Sequence, residues 1–102
     1  MSYTEGNDVD VIDDNAGNRI SGGVAKAALE FVAKSIVDDP ESVVVEVEES
    51  PGGNIMLRLH VASDDKGKVI GKRGRVAIAV RTLIRAIGAR DGVNVSVDIA
   101  DD

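Results

Sequence analysis

The sequence predicts an α+β domain in the order α-β-β-α-α-β, with helices covering one face of a three-stranded sheet. Three short runs alternate apolar and polar residues with period two, the mark of half-buried strands. Longer segments carry apolar residues at helical spacing, and clusters of Gly, Pro, Asn and Asp separate the elements. Helices with apolar arcs need a sheet face to cover, and 102 residues suit one such domain.

Residues 1–21 read as an acidic disordered tail, and residues 22–102 as the domain. Asp8, Asp10, Asp13 and Asp14 stand among Asn and Gly without a sustained period. Asp8 and Asp10 begin like a calcium loop, but Ile12 replaces the next ligand and Asp13 the turn glycine. A solvated tail is the reading that remains, and it can also fold back on the basic element described below and compete with that element's ligand.

Ser21 can cap a helix from Val24 to Val37, with Gly22-Gly23 letting the chain enter it. Lys26, Glu30 and Lys34 form a solvated stripe. Ala25, Leu29, Val32 and Ile36 lie on one side, and Val24, Ala27, Ala28 and Phe31 on another. This apolar arc is wider than one sheet contact needs. Burial within the monomer and a self-association surface both account for it. Asp38-Asp39-Pro40 ends the helix, because proline disfavours helical geometry in the residue before it.

Ser42 to Glu49 reads as a strand, with Val43, Val45 and Val47 inward. Pro51-Gly52-Gly53-Asn54 forms a turn into a second strand, Asn54 to Ala62, with Ile55, Leu57, Leu59 and Val61 inward. Ser63-Asp64-Asp65 opens a short helix from Lys66 to Ile70, where acidic groups suit the helix dipole. Gly71 interrupts it. Another helix runs from Arg75 to about Gly88, with Val76, Val80, Leu83, Ile84 and Ile87 as its apolar stripe. Arg75, Arg81, Arg85 and Ile78 lie on the opposite half, and Gly88 or Gly92 supplies the stop. Val93 to Ile99 is the last strand.

Composition excludes several function classes. The chain has no cysteine, which removes disulfides, thiolate catalysis and cysteine zinc sites. Phe31 and Tyr3 are its only aromatics, so a base-stacking platform is not expected. No apolar run approaches the roughly 20 residues of a membrane span, and the N-terminus lacks the pattern of a secretory signal. No membrane association and a cytoplasmic location are therefore expected. His60, the only histidine, lies on a wet strand face with no second ligand evident. No metal, cofactor or catalytic constellation is expected.

Charge singles out one stretch. The chain has a net charge of −6, yet Lys66 to Arg90 holds eight Lys or Arg and no Asp or Glu. One basic element in an acidic protein points to a polyanion site. At its centre lies Gly71-Lys72-Arg73-Gly74. Glycine lets the chain reverse within four residues and lets another backbone approach. The first N–H groups of the helix beginning at Arg75 favour anions. A nucleotide P-loop is excluded, because Gly67 and Gly71 have three residues between them, not four, and Arg73 follows Lys72.

The expected site uses the Gly71 and Gly74 backbone for close approach and Lys72 and Arg73 for phosphates. Lys66, Lys68 and Arg75 are electrostatic neighbours, and Val69 and Ile70 support the loop from the core or the groove wall. Arg81 and Arg85 fit a solvated helix face as well as they fit RNA contact.

The loop, the preceding Val69-Ile70, the following amphipathic helix and the hairpin together resemble a KH domain in the type II order. The GXXG loop of that domain clamps about four backbone nucleotides. Over a wider span, Asp39-Pro40-Glu41, Lys66 to Ala77 and Arg81-Thr82 resemble the KhpA family of small bacterial single-KH RNA-binding proteins. Ala77 stands where many other KH domains carry a large aliphatic residue, and Ile78 where a polar one is expected. The resemblance implies a cytoplasmic RNA chaperone that binds single-stranded RNA. It also implies a homodimer, or a heterodimer with a larger KhpB-like KH protein, and a link to cell shape and cell-wall biogenesis. The other reading is a protein-interaction module with weak RNA binding of its own. The net charge of −6, which opposes long-range attraction to RNA, favours it.

Overall fold

The computed structural model describes residues 22–101; the acidic tail and the Ser21 cap lie outside the described residues. The elements are α1 (Gly23–Ile36), β1 (Val44–Ser50), β2 (Asn54–His60), α2 (Lys66–Ile70), α3 (Arg75–Arg90) and β3 (Asn94–Ile99). The order matches the one read from the sequence.

The sheet order is β1-β2-β3. The hairpin pairs β1 with β2 antiparallel, Val45 opposite Leu59 and Val47 opposite Leu57. The pairing of β2 with β3 is parallel, Leu57 opposite Val97 and Leu59 opposite Ile99. A parallel neighbour needs a crossover, and α2 with α3 provides it. The helices thereby come to cover one sheet face, where Leu29, Leu57, Leu59, Ile84, Val69 and Val95 are fully buried. The other face is polar. Arg58 bridges Glu48 at 3.5 Å and Asp98 at 3.2 Å, and His60 meets Glu46 at 2.7 Å.

Several boundaries and facings differ from expectation. Helix α1 ends one residue early. Val37 is extended, and the next two N–H groups, of Asp38 and Asp39, donate to the Asp65 carboxylate at 3.2 and 3.0 Å. A distant acceptor, more than Pro40, thus takes over where the helix stops. Val47 faces the same side of the sheet as its partner Leu57, as expected, but it is 39% exposed because the helices do not cover that end of β1. Leu83 is 46% exposed, and Ala77 and Gly88 take the buried positions on α3 instead. Gly88 is no stop: it lies inside α3, where a Cβ would come within 2.5 Å of Val95 Cγ2 and 3.0 Å of the Val93 carbonyl oxygen. Its hydrogen allows the helix to press onto β3. The helix closes beyond it, with Gly92 N–H donating to the Ala89 carbonyl and Val93 N–H to that of Gly88.

Candidate nucleic-acid interface

The bend between α2 and α3 is as tight as its two glycines predict. Gly71 has φ 76° and ψ 174°, and Gly74 has φ 76° and ψ 13°. A Cβ on Gly71 would lie 2.4 Å from Val76 Cγ2 and 2.9 Å from the Val76 nitrogen. Gly71 is therefore the inner hinge, pressed against the first turn of α3. A Cβ on Gly74 would meet no atom within 4 Å, so its backbone faces open space. Between them Arg73 adopts φ 58° and ψ 24°. This left-handed geometry costs an ordinary residue about 1–2 kcal/mol. Lys72 and Arg73 are both exposed. Among the described residues, Lys72, Arg73 and Arg75 make no ion pair or side-chain hydrogen bond. Gly74 also caps α3 without a side chain; the Arg75 N–H donates to the Lys72 carbonyl, and the next N–H groups of this 16-residue helix are left available to an anion.

Beside the loop runs a groove of about 370 Å³ between α2, the start of α3 and the end of β3. Ile70, Ala77 and Ile99 give it an apolar lining, with Lys66, Arg81 and Asp101 as charged groups. Lys66 Nζ lies 4.0 Å from the Asp101 carboxylate. Arg81 Nε donates to the Val97 carbonyl oxygen at 3.3 Å, which ties α3 to the edge strand β3.

The expected site residues divide accordingly. Lys66, Ile70 and Gly74 line the groove, while Lys72 and Arg73 stand on the loop. Val69 is buried and supports α2 from below, whereas Ile70 is 41% exposed and forms groove wall. Arg75 turns the other way, lining a second, apolar groove of about 360 Å³ between α1 and α3 with Val32, Ile36, Val76 and Leu83. Lys68 faces away from the loop, 3.1 Å from Asp38 and 3.6 Å from Asp65. Asp65 is only 2% exposed. Burial pushes its pKa up, but the N–H groups of Asp38 and Asp39 and the Lys68 ammonium outweigh that and hold it below the ordinary value. Asp38 first, and Asp65 with it, raise the pKa of Lys68. These charges anchor α2. They do not add to the loop's positive field.

Ala77, expected at the groove floor from the KH resemblance, does line the groove, but the place of Ile99 and Asp101 in it is absent from the sequence reading, because it depends on β3 ending beside α2. Arg81 and Arg85, grouped together by spacing, lie in different surroundings. Arg81 borders the groove, whereas Arg85 is an exposed position on α3. Among the described residues, no group of three or more His, Cys, Asp or Glu could hold a metal ion. No described helix is long and apolar enough to cross a membrane.

A two-helix turn of the GXXG form, set against a three-stranded α+β sheet, defines a KH domain. Residues 26–99 match the family described as KhpA/KhpB, KH domain, and the chain belongs to that family. The RNA-binding protein KhpA of Clostridium acetobutylicum is 47% identical over 74 residues, covering 72% of this chain and 97% of the relative. That of Chlamydia trachomatis is 42% identical over 78 residues, covering 76% and 97%. Among solved structures, a variant of Aquifex aeolicus Era bound to GDP.AlF4- superposes with a TM-score of 0.51 at 16% identity. The match covers 74% of this chain and 29% of that one, and it speaks for the fold alone.

Proposed function

We propose that the protein binds single-stranded RNA in the cytoplasm and acts by binding, without catalysis, as an RNA chaperone. The Gly71-Lys72-Arg73-Gly74 loop grips the sugar-phosphate backbone, and bases lie along the groove beside it. One observation carries this reading: the open Gly74 backbone, two outward cations and the uncapped start of α3 converge at the mouth of an apolar-lined groove. Phosphates meet donors and charge, and base faces meet Ile70, Ala77 and Ile99. Holding unpaired strands stabilises them by mass action, which is how a binder without an energy source remodels RNA. The relatives' shared designation as RNA-binding proteins supports the same ligand.

The test is the double substitution Lys72→Asp and Arg73→Asp, read by fluorescence anisotropy with a labelled single-stranded RNA. Binding should disappear while the circular dichroism melt stays unchanged, since both side chains are exposed. Retained affinity in the folded variant would overturn the cradle.

A second reading rests on the other groove. Leu83 is 46% exposed in it beside Val32 and Ile36, and Phe31, elsewhere on α1, is 72% exposed. Apolar surface of this kind suits a homodimer or docking of a larger KhpB-like KH protein. Leu83→Asp should then shift sedimentation towards monomer. A wild-type chain that stays monomeric at high concentration and binds no such partner would remove this reading.

A further inference from the structure

The cradle explains grip but no base preference, and the groove contains the chemistry for one. With Phe31 and Tyr3 the only aromatics in the chain, aromatic stacking offers the groove little discrimination, and its wall is aliphatic. Preference must then come from hydrogen bonding to base edges. Arg81 is placed to supply it. Its Nε is held by the Val97 carbonyl at 3.3 Å, which orients the guanidinium plane at the groove edge. An arginine has five N–H donors, and using Nε leaves the fork of its two terminal nitrogens. Among the described residues those nitrogens have no hydrogen-bond or ion-pair partner.

We propose that Arg81 determines base specificity by selecting a base with two adjacent acceptors. This rests on the RNA reading above. A fork of parallel donors matches guanine through O6 and N7, and cytosine through O2 and N3. Uracil interposes its N3–H between O2 and O4. Adenine interposes its amino group between N7 and N1. Either of those bases would leave one donor facing a donor or nothing, and an unpaired polar group in a partly dried groove weakens binding. The small Ala77 at the groove wall leaves room for the larger purine as well as the pyrimidine.

The experiment measures anisotropy of the full-length protein with a short oligouridine and with the same oligomer carrying one central G, C or A. The G and C oligomers should bind at least about fivefold more tightly than the A and U oligomers, the discrimination expected of one bidentate pair. Arg81→Lys keeps the charge and loses the fork. It should bring all four oligomers to similar affinity, since a point charge still serves phosphate but offers no fork to a base edge. Substituting 7-deazaguanine removes one acceptor and should lower the G oligomer to the level of A. A wild-type protein that binds all four equally, or an Arg81→Lys variant that keeps the preference, overturns this inference and leaves the cradle standing. Failure of the wild-type protein to bind any oligomer overturns both.

Discussion

Gly71 and Gly74 share a φ of 76° but differ in what surrounds them. An alanine at position 74 meets only the backbone penalty, about 1–2 kcal/mol. At position 71 the same penalty adds to a collision with the Val76 nitrogen, which cannot swing aside as a side-chain end could. Gly71→Ala should therefore cost about 2–5 kcal/mol in urea unfolding, and Gly74→Ala clearly less. Equal losses would show that the hinge is not where the coordinates put it. Gly74→Ala should also weaken RNA binding despite its milder effect on stability, because its Cβ would occupy the side from which a strand approaches. Both glycines were legible from the motif. Their division of labour was not, because it depends on the distance to Val76 after α3 has formed.

Helix α2 has only five residues and cannot hold itself together in water. The Asp65 carboxylate, accepting from the N–H groups of Asp38 and Asp39 and facing Lys68, fastens it to the end of α1. A depressed carboxyl pKa gives stability that is full above the unfolded value of about 3.9 and is lost as pH falls through the folded value. The wild-type melting temperature should thus drop as pH falls below that range. Asp65→Asn should be less stable than wild type near neutral pH and should show a smaller acid-induced drop. An identical acid profile in the two proteins would remove Asp65 from this role. Sequence position alone put Lys68 with the loop cations, since only three residues separate it from Lys72. The helix turns it towards Asp38, thirty positions earlier in the chain, and no local pattern announces that partner.

For the molecule as a whole, charge is arranged against itself. The chain carries −6 overall, while Lys72 and Arg73 stand exposed on the loop without an ion-pair partner among the described residues. Each phosphate neutralised on a single strand should contribute about −0.7 to the slope of log affinity against log salt. The tail brings Glu5, Asp8, Asp10, Asp13 and Asp14 against Arg19 alone. Removing residues 1–20 should therefore tighten RNA binding at low salt, with the gain fading as salt rises. Unchanged affinity at low salt would exclude competition by the tail.

The sequence by itself determined the elements and the loop. Period-two valines, helical spacing and a basic pair between glycines are local signals, and local sterics and solvation act on them wherever the chain goes. Tertiary structure alone decided that β3 lies parallel to β2 and so brings Ile99 and Asp101 beside α2. It also decided that Arg81 borders a groove while Arg75 and Leu83 line another one, and that Lys68 holds a helix in place. Such partners meet only when distant segments are packed together. Their energies come from burial and from pairing across the fold, which no short stretch of sequence encodes.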